Sequence, residues 1–153
     1  MSGPRYPAIP PEKLTPEQRV FHNDMTEKIR NGFGSSFTLQ GKDGGLLGPL
    51  SIMMYTPEYS KHTMRLNNEV LNLPALEPAV TEVAILATQG HYTGSFGGFL
   101  IYSHSRIAVG KELLTEEQMR KITQGEKPAD LGEKEGVAFD LAIRLVKGGK
   151  PLE

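Results

Sequence analysis

Residues 82–108 read EVAILATQGHYTGSFGGFLIYSHSRIA, and this stretch decides the fold. Two segments of helical pattern flank a glycine-rich joint, HYTGSFGG. The first segment carries an acid, Glu82, among Val83, Ala84, Ile85 and Leu86. The second carries a base, His104, among Leu100, Ile101, Ile107 and Ala108. Gly90, Gly94, Gly97 and Gly98 interrupt the pattern and allow close backbone approach. Phe99 to Lys111 resumes it, with Leu100, His104, Ile107 and Lys111 on one face and Tyr102 and Arg106 on neighbouring ones. A joint that folds these helices together turns a carboxylate and an imidazole toward one cavity.

Both residues have two readings. Glu82 is either an acid in the first turns of a helix, facing water and favoured there by the helix dipole, or a carboxylate that accepts a proton or holds a histidine in one tautomer. His104 is either a hydrogen-bonded core residue or an acid–base group. The pattern alone leaves both pairs of readings open.

The chain outward from this stretch is helical too. Residues 1–14 hold four prolines and read as an extended arm. Thr15-Pro16-Glu17-Gln18 is a capping box, followed by Phe21, Met25 and Ile29 as one stripe and stopped by Asn31-Gly32. His22 lies beside that stripe and reads as a surface or rim residue. Between Phe33 and Tyr55 five glycines mark a loop, but GKDGGLLGPL lacks the order of a phosphate-binding loop. Ile52, Met53, Met54 and Tyr55 form an apolar segment suited to core or to a pocket wall. Thr56-Pro57-Glu58 starts another helix, whose apolar stripe is Tyr59, Thr63, Leu66 and Val70, with His62 at its edge. Leu73-Pro74 ends it and Pro78 opens the helix of Glu82. A second capping box at Leu114–Gln118 has Met119 and Ile122 as its apolar side. Glu133 to Lys147 is a final helix with Val137, Leu141 and Leu145 along one side, Ala138, Ala142 and Val146 beside them, and Gly148-Gly149 as its stop. No strand pattern is present, and the expectation is an all-α chain: an arm at 1–14 and one helical domain at 15–153.

Composition bounds the function. At 153 residues with 38% hydrophobic and 23% charged residues, the chain suits one globular domain. Net charge is −1 and no basic run is present, which argues against nucleic acid. No apolar run approaches the ~20 residues that cross a bilayer, and MSGPRYPAIPPEK lacks an apolar signal core, so no membrane and a cytoplasmic location are expected. With zero cysteines, disulfide and thiolate chemistry are excluded.

Several segments, in order, resemble the carboxymuconolactone decarboxylase-like branch of the alkylhydroperoxidase-D superfamily. RYPAIPPEKLTPEQRVFHNDM is similar to its arm and first helix, and GPLSIMMYTPE to its glycine-proline turn and second helix. LPALEPAVTEVAILAT is similar to its central helix with Glu82 at the family's glutamate. IYSHSRIA and LLTEEQMRKI are similar to its histidine helix and the helix after it. The resemblance covers nearly the whole length. It implies a helical domain, Glu82 and His104 as catalytic residues, no cofactor or metal, and a homo-oligomer, commonly a trimer or hexamer. Three departures accompany it. The Cys-x-x-Cys pair of the peroxidase members is absent. Leu100 and Ile101 replace the glutamate and tryptophan that decarboxylase members place before the histidine. The chain stops at Glu153, where members carry one more helix.

The activity implied is a cofactor-independent, decarboxylase-like lyase acting on a small cyclic carboxylic acid or lactone. Substrate-binding candidates are Tyr102, Arg106, Tyr92 and His91 as polar contacts and Met53, Phe96 and Phe99 as an apolar wall. Alternatives on the same pair are an isomerase, cyclase or dehydratase of a polyketide-like substrate. A small-molecule binding protein without chemistry, and a structural subunit with a satisfied histidine, are the non-enzymatic readings.

Overall fold

In a computed structural model of the chain, which describes residues 6–33, 36–92 and 95–148, helices form the architecture and no strand forms among the described residues. A single antiparallel bridge joins Gln40 and Leu46. The α-helices are α1 (Pro16–Phe33), α2 (Pro49–Met53), α3 (Pro57–Leu71), α4 (Pro78–His91), α5 (Ser95–Gly110), α6 (Glu116–Thr123) and α7 (Glu133–Val146). The chain divides into two compact units, Met1–Asn72 and Leu73–Glu153.

In the first unit α1 packs on α3. Its core is Leu14, Phe21, Met25, Leu39, Leu46, Leu50 and Met54. The Thr15–Gln18 capping box is formed in both directions, at 3.0 and 3.3 Å. The proline-rich segment before it is tied down by Tyr55, whose hydroxyl donates to the Pro7 carbonyl at 2.7 Å, and by Arg19, which donates to the Pro11 carbonyl. Thr56 does not cap α3 through its side chain; its hydroxyl lies 3.3 Å from that of Ser60 instead.

One expectation fails in this unit. His22 is no rim residue but is 5% exposed. Its Nε2 lies 3.2 Å from the Gly44 carbonyl, on a loop that Gly44 turns with a φ of 79°. The Tyr59, Leu66 and Val70 stripe of α3 faces out, because the side of α3 that meets the core carries Ser60 and Met64.

In the second unit α4 is the hub and packs on α5, α6 and α7. Apolar residues surround most of its circumference, as a helix enclosed by neighbours requires. Val83, Leu86 and Ala87 are completely buried, among Ala108, Leu114, Ile122, Phe139 and Ala142. Gly90 is what lets α4 approach α6: a Cβ there would run into the Thr123 backbone. The Thr115–Gln118 capping box opens α6 as the sequence indicates. On α7 the expected stripe is on the wrong side. Phe139 and the small residues Gly136 and Ala142 are the buried ones, and Val137 and Leu145 are exposed. Small residues let α7 lie close on α4, and that gain outweighs the longer stripe.

The joint between α4 and α5 is shorter than its glycines imply. α5 begins at Ser95, so Gly97 and Gly98 are helical. Glycine weakens a helix interior by ~1 kcal/mol, which lowers the stability of this first turn without forbidding it.

Candidate active site

Pro78 sets the start of α4, with no N–H to lose and a φ already helical. Glu82 follows one turn in. It does not face water: the residue is 7% exposed, beside Val83, which is fully buried. His104 sits in the middle of α5, with Ile107 and Ala108 buried one turn later.

The two side chains meet. His104 Nδ1 lies 2.9 Å from Glu82 Oε2, with the side chains 16% and 10% exposed. An ionised carboxylate only accepts, so the proton is on Nδ1 and the ring donates it. Neutral His104 then carries its lone pair on Nε2, oriented by the carboxylate. Among the described residues, Glu82 has no lysine or arginine partner. Burying an unpaired carboxylate costs several kcal/mol, so the ring stabilises Glu82 as much as Glu82 orients the ring. With Nδ1 given to the carboxylate, Nε2 is the nitrogen that can take a proton and return it.

The other candidate residues lie on or next to α4 and α5, apart from Met53 in the first unit. Tyr102 and Arg106, one turn apart on α5, are exposed, and Tyr102 meets Phe99 edge-on with ring centres 6.4 Å apart. His91 ends α4 and Tyr92 caps it; both are exposed, with their rings 5.2 Å apart. The side chain of Phe96 lies outside the described residues. Met53 belongs to the first unit, packed against its core.

Sequence reasoning passed over the serines that flank the histidine. Ser103 is buried and donates to the Leu100 carbonyl at 3.2 Å. The Ser105 hydroxyl is buried with no hydrogen-bond partner. The Ser-His-Ser run was the available signal, but serines are common on both faces of helices.

A cleft of about 440 Å³ opens elsewhere in this unit, lined by Lys127, Pro128, Leu131, Gly136, Val137 and Asp140 among others. It includes neither Glu82 nor His104. Among the described residues, no group of three or more histidine, aspartate or glutamate side chains is placed to hold a metal ion, and no helix is long and apolar enough to cross a membrane. No protein-family model, curated protein or solved structure matches the chain.

Proposed function

We propose that this chain is a cofactor-independent lyase of the carboxymuconolactone decarboxylase-like kind, acting on a small cyclic carboxylic acid or lactone by proton transfer through His104, with Glu82 as its orienting partner. One observation carries the reading: the 2.9 Å contact between His104 Nδ1 and a buried Glu82 carboxylate. A buried acid with a histidine as its partner on the next helix is the arrangement acid–base catalysis requires.

The chemistry fits a β,γ-unsaturated acid. Its C–C bond to the carboxylate breaks, carbon dioxide leaves, and the electron pair passes into the conjugated carbonyl as a dienolate. His104, protonated at both nitrogens and stabilised by Glu82, delivers its Nε2 proton to the dienolate carbon. The neutral ring then recovers a proton from water. In the other direction the same nitrogen removes a proton next to a carbonyl, which is the first step of an isomerase, cyclase or dehydratase.

A structural role for the pair is the second reading. It is favoured by the position of the 440 Å³ cleft, which lies away from His104. The test is turnover across a panel of cyclic carboxylic acids and lactones. His104→Gln is the variant of choice, because its amide can still donate to Glu82 where alanine would strand a buried charge. Loss of turnover by ~10²–10⁴-fold with the fold retained supports the lyase. Unchanged turnover, or a panel without any turnover alongside a large drop in melting temperature for His104→Ala, supports the structural role.

A further inference from the structure

The segment from Tyr6 to Pro11 reads YPAIPP, and its sequence limits its shape before anything touches it. Proline fixes its own φ at about −65° and keeps the residue before it out of the helical region. Pro7, Pro10 and Pro11 obey the first rule, and Tyr6, Ile9 and Pro10 the second, so Ala8 alone is unconstrained. The conformation both rules allow is polyproline II. Pro10 has it, with φ −64° and ψ 151°.

Polyproline II turns once in about three residues, so Ala8 and Pro11 share one edge and Ile9 lies on another. The first edge rests on two glycines. A Cβ on Gly45 would come within 3.0 Å of Ala8 Cβ, and one on Gly44 within 3.0 Å of the Pro11 ring. Ile9 packs on the core of the unit. Two side chains read the main chain. The Tyr55 hydroxyl donates to the Pro7 carbonyl at 2.7 Å, and Arg19 donates to the Pro11 carbonyl at 2.8 Å. The Tyr6 ring meets Tyr55 edge-on, with centres 5.2 Å apart. The receiving groove has its own supports. Gln18 donates to the Met54 carbonyl at 2.9 Å, next to Tyr55. The glycine loop closes on itself, Gly41 donating to Gly45 at 2.9 Å and Gly45 to Asp43 Oδ1 at 3.1 Å. An aromatic wall beside a preformed, proline-rich chain is the arrangement of peptide-reading modules.

We infer that Tyr55, Arg19 and the Gly44–Gly45 loop form a recognition site for a polyproline-II segment, and that residues 6–11 fill it in cis as a built-in, releasable ligand. The site takes a small residue against Gly45 and a proline three positions later against Gly44. A segment tethered this closely acts at an effective concentration of about millimolar, so it masks the site from a free peptide. The inference rests on nothing in the Glu82–His104 pair.

The test is binding of a fluorescein-labelled peptide of residues 6–13 to the full chain, as wild type and with Ala8→Glu or Ile9→Asp. Ala8→Glu drives a long charged side chain onto the Gly45 backbone, and Ile9→Asp removes the apolar anchor. Neither changes Tyr55, Arg19 or the glycine loop. Both variants should bind the wild-type peptide at least about tenfold more tightly than the wild-type chain, whose own segment competes. Adding Tyr55→Phe should weaken that binding about fivefold, as loss of one hydrogen bond does. A peptide carrying Pro7→Ala, Pro10→Ala and Pro11→Ala should bind roughly tenfold more weakly, because it must be ordered on binding. Folded variants that leave the peptide unbound overturn the inference, and so does a wild-type chain that binds it equally well. Equal binding of the alanine peptide removes polyproline II as the recognised form. Failure of both variants to fold, read by circular dichroism, also overturns it, since the segment is then part of the core and not a ligand.

Discussion

His22 and His104 lie on helices in the two units of the chain, and each is enclosed by its own unit, yet opposite chemistries hold them. His22 is the more deeply buried, at 5% exposure. Its Nε2 lies 3.2 Å from the Gly44 carbonyl and 3.4 Å from the Gln40 amide nitrogen, and its Nδ1 lies 3.4 Å from Asn23 Oδ1. Gln40 donates to the same carbonyl at 3.1 Å. His104 carries its proton on Nδ1, given to a carboxylate. A ring held by neutral backbone and amide groups fixes the loop they belong to. A ring held by a carboxylate has one nitrogen fixed by that partner and the other placed to exchange a proton, which is what a proton carrier needs. Depth of burial does not separate the two; the partner does.

Glu82→Gln breaks the comparison at its source. The amide keeps the size and one acceptor oxygen, but removes the negative charge that stabilises imidazolium. Turnover on any substrate of the wild type should fall by roughly 10²-fold, at the lower edge of what acid–base catalysis contributes, with little change in KM. Nitrogen NMR of the ring gives an independent readout, since the preference for Nδ1–H should weaken. If turnover persists and the tautomer is unchanged, Glu82 has no hold on His104 and the two histidines are alike.

His22→Ala tests the other side. It removes the ring that lies against the Gly44 carbonyl and leaves a hole among buried groups. Stability should fall by about 1–3 kcal/mol, the usual cost of losing a buried partner, and denaturant titration measures it. Turnover per folded molecule should not change. A loss of turnover without a loss of stability would make His22 the functional ring.

The sequence could not have told these histidines apart. Both lie near apolar stripes, and the partner of His22 is 22 residues away on a loop whose path no periodicity reveals. Glu82 and His104 are also 22 residues apart, but on successive helices with a short joint, so their meeting was a legible possibility. Helix existence was legible wherever chemistry is local: both Thr-x-x-Gln boxes form, and the Phe21 and Met25 stripe is buried. Which face of a helix is covered was not legible on α3 or α7. A stripe states that a face is apolar; only the neighbour that docks decides whether that face is inside, and on α7 Phe139 and small residues won. The glycines of the joint misled as well, since α5 starts at Ser95 and takes Gly97 and Gly98 into the helix.

The smallest effect belongs to a pair that copies the distance of Glu82 and His104 without its burial. Arg120 grips Glu117 with two hydrogen bonds, at 2.9 and 2.7 Å, on the outside of α6. The Arg120 hydrogen bonds, with smaller help from Lys121, hold the Glu117 carboxyl at about 2 against an ordinary 4.5. A folded value below the unfolded one favours folding above the unfolded value, and this contribution disappears as pH falls from 4.5 through about 2. The group is fully exposed, so water and salt screen most of it. Glu117→Gln should lower the melting temperature less than either variant above, and the difference from wild type should shrink in high salt and vanish near pH 2. Turnover should stay unchanged. If Glu117→Gln proved as costly as Glu82→Gln, proximity alone would explain both pairs, and burial would lose its place in the argument for His104.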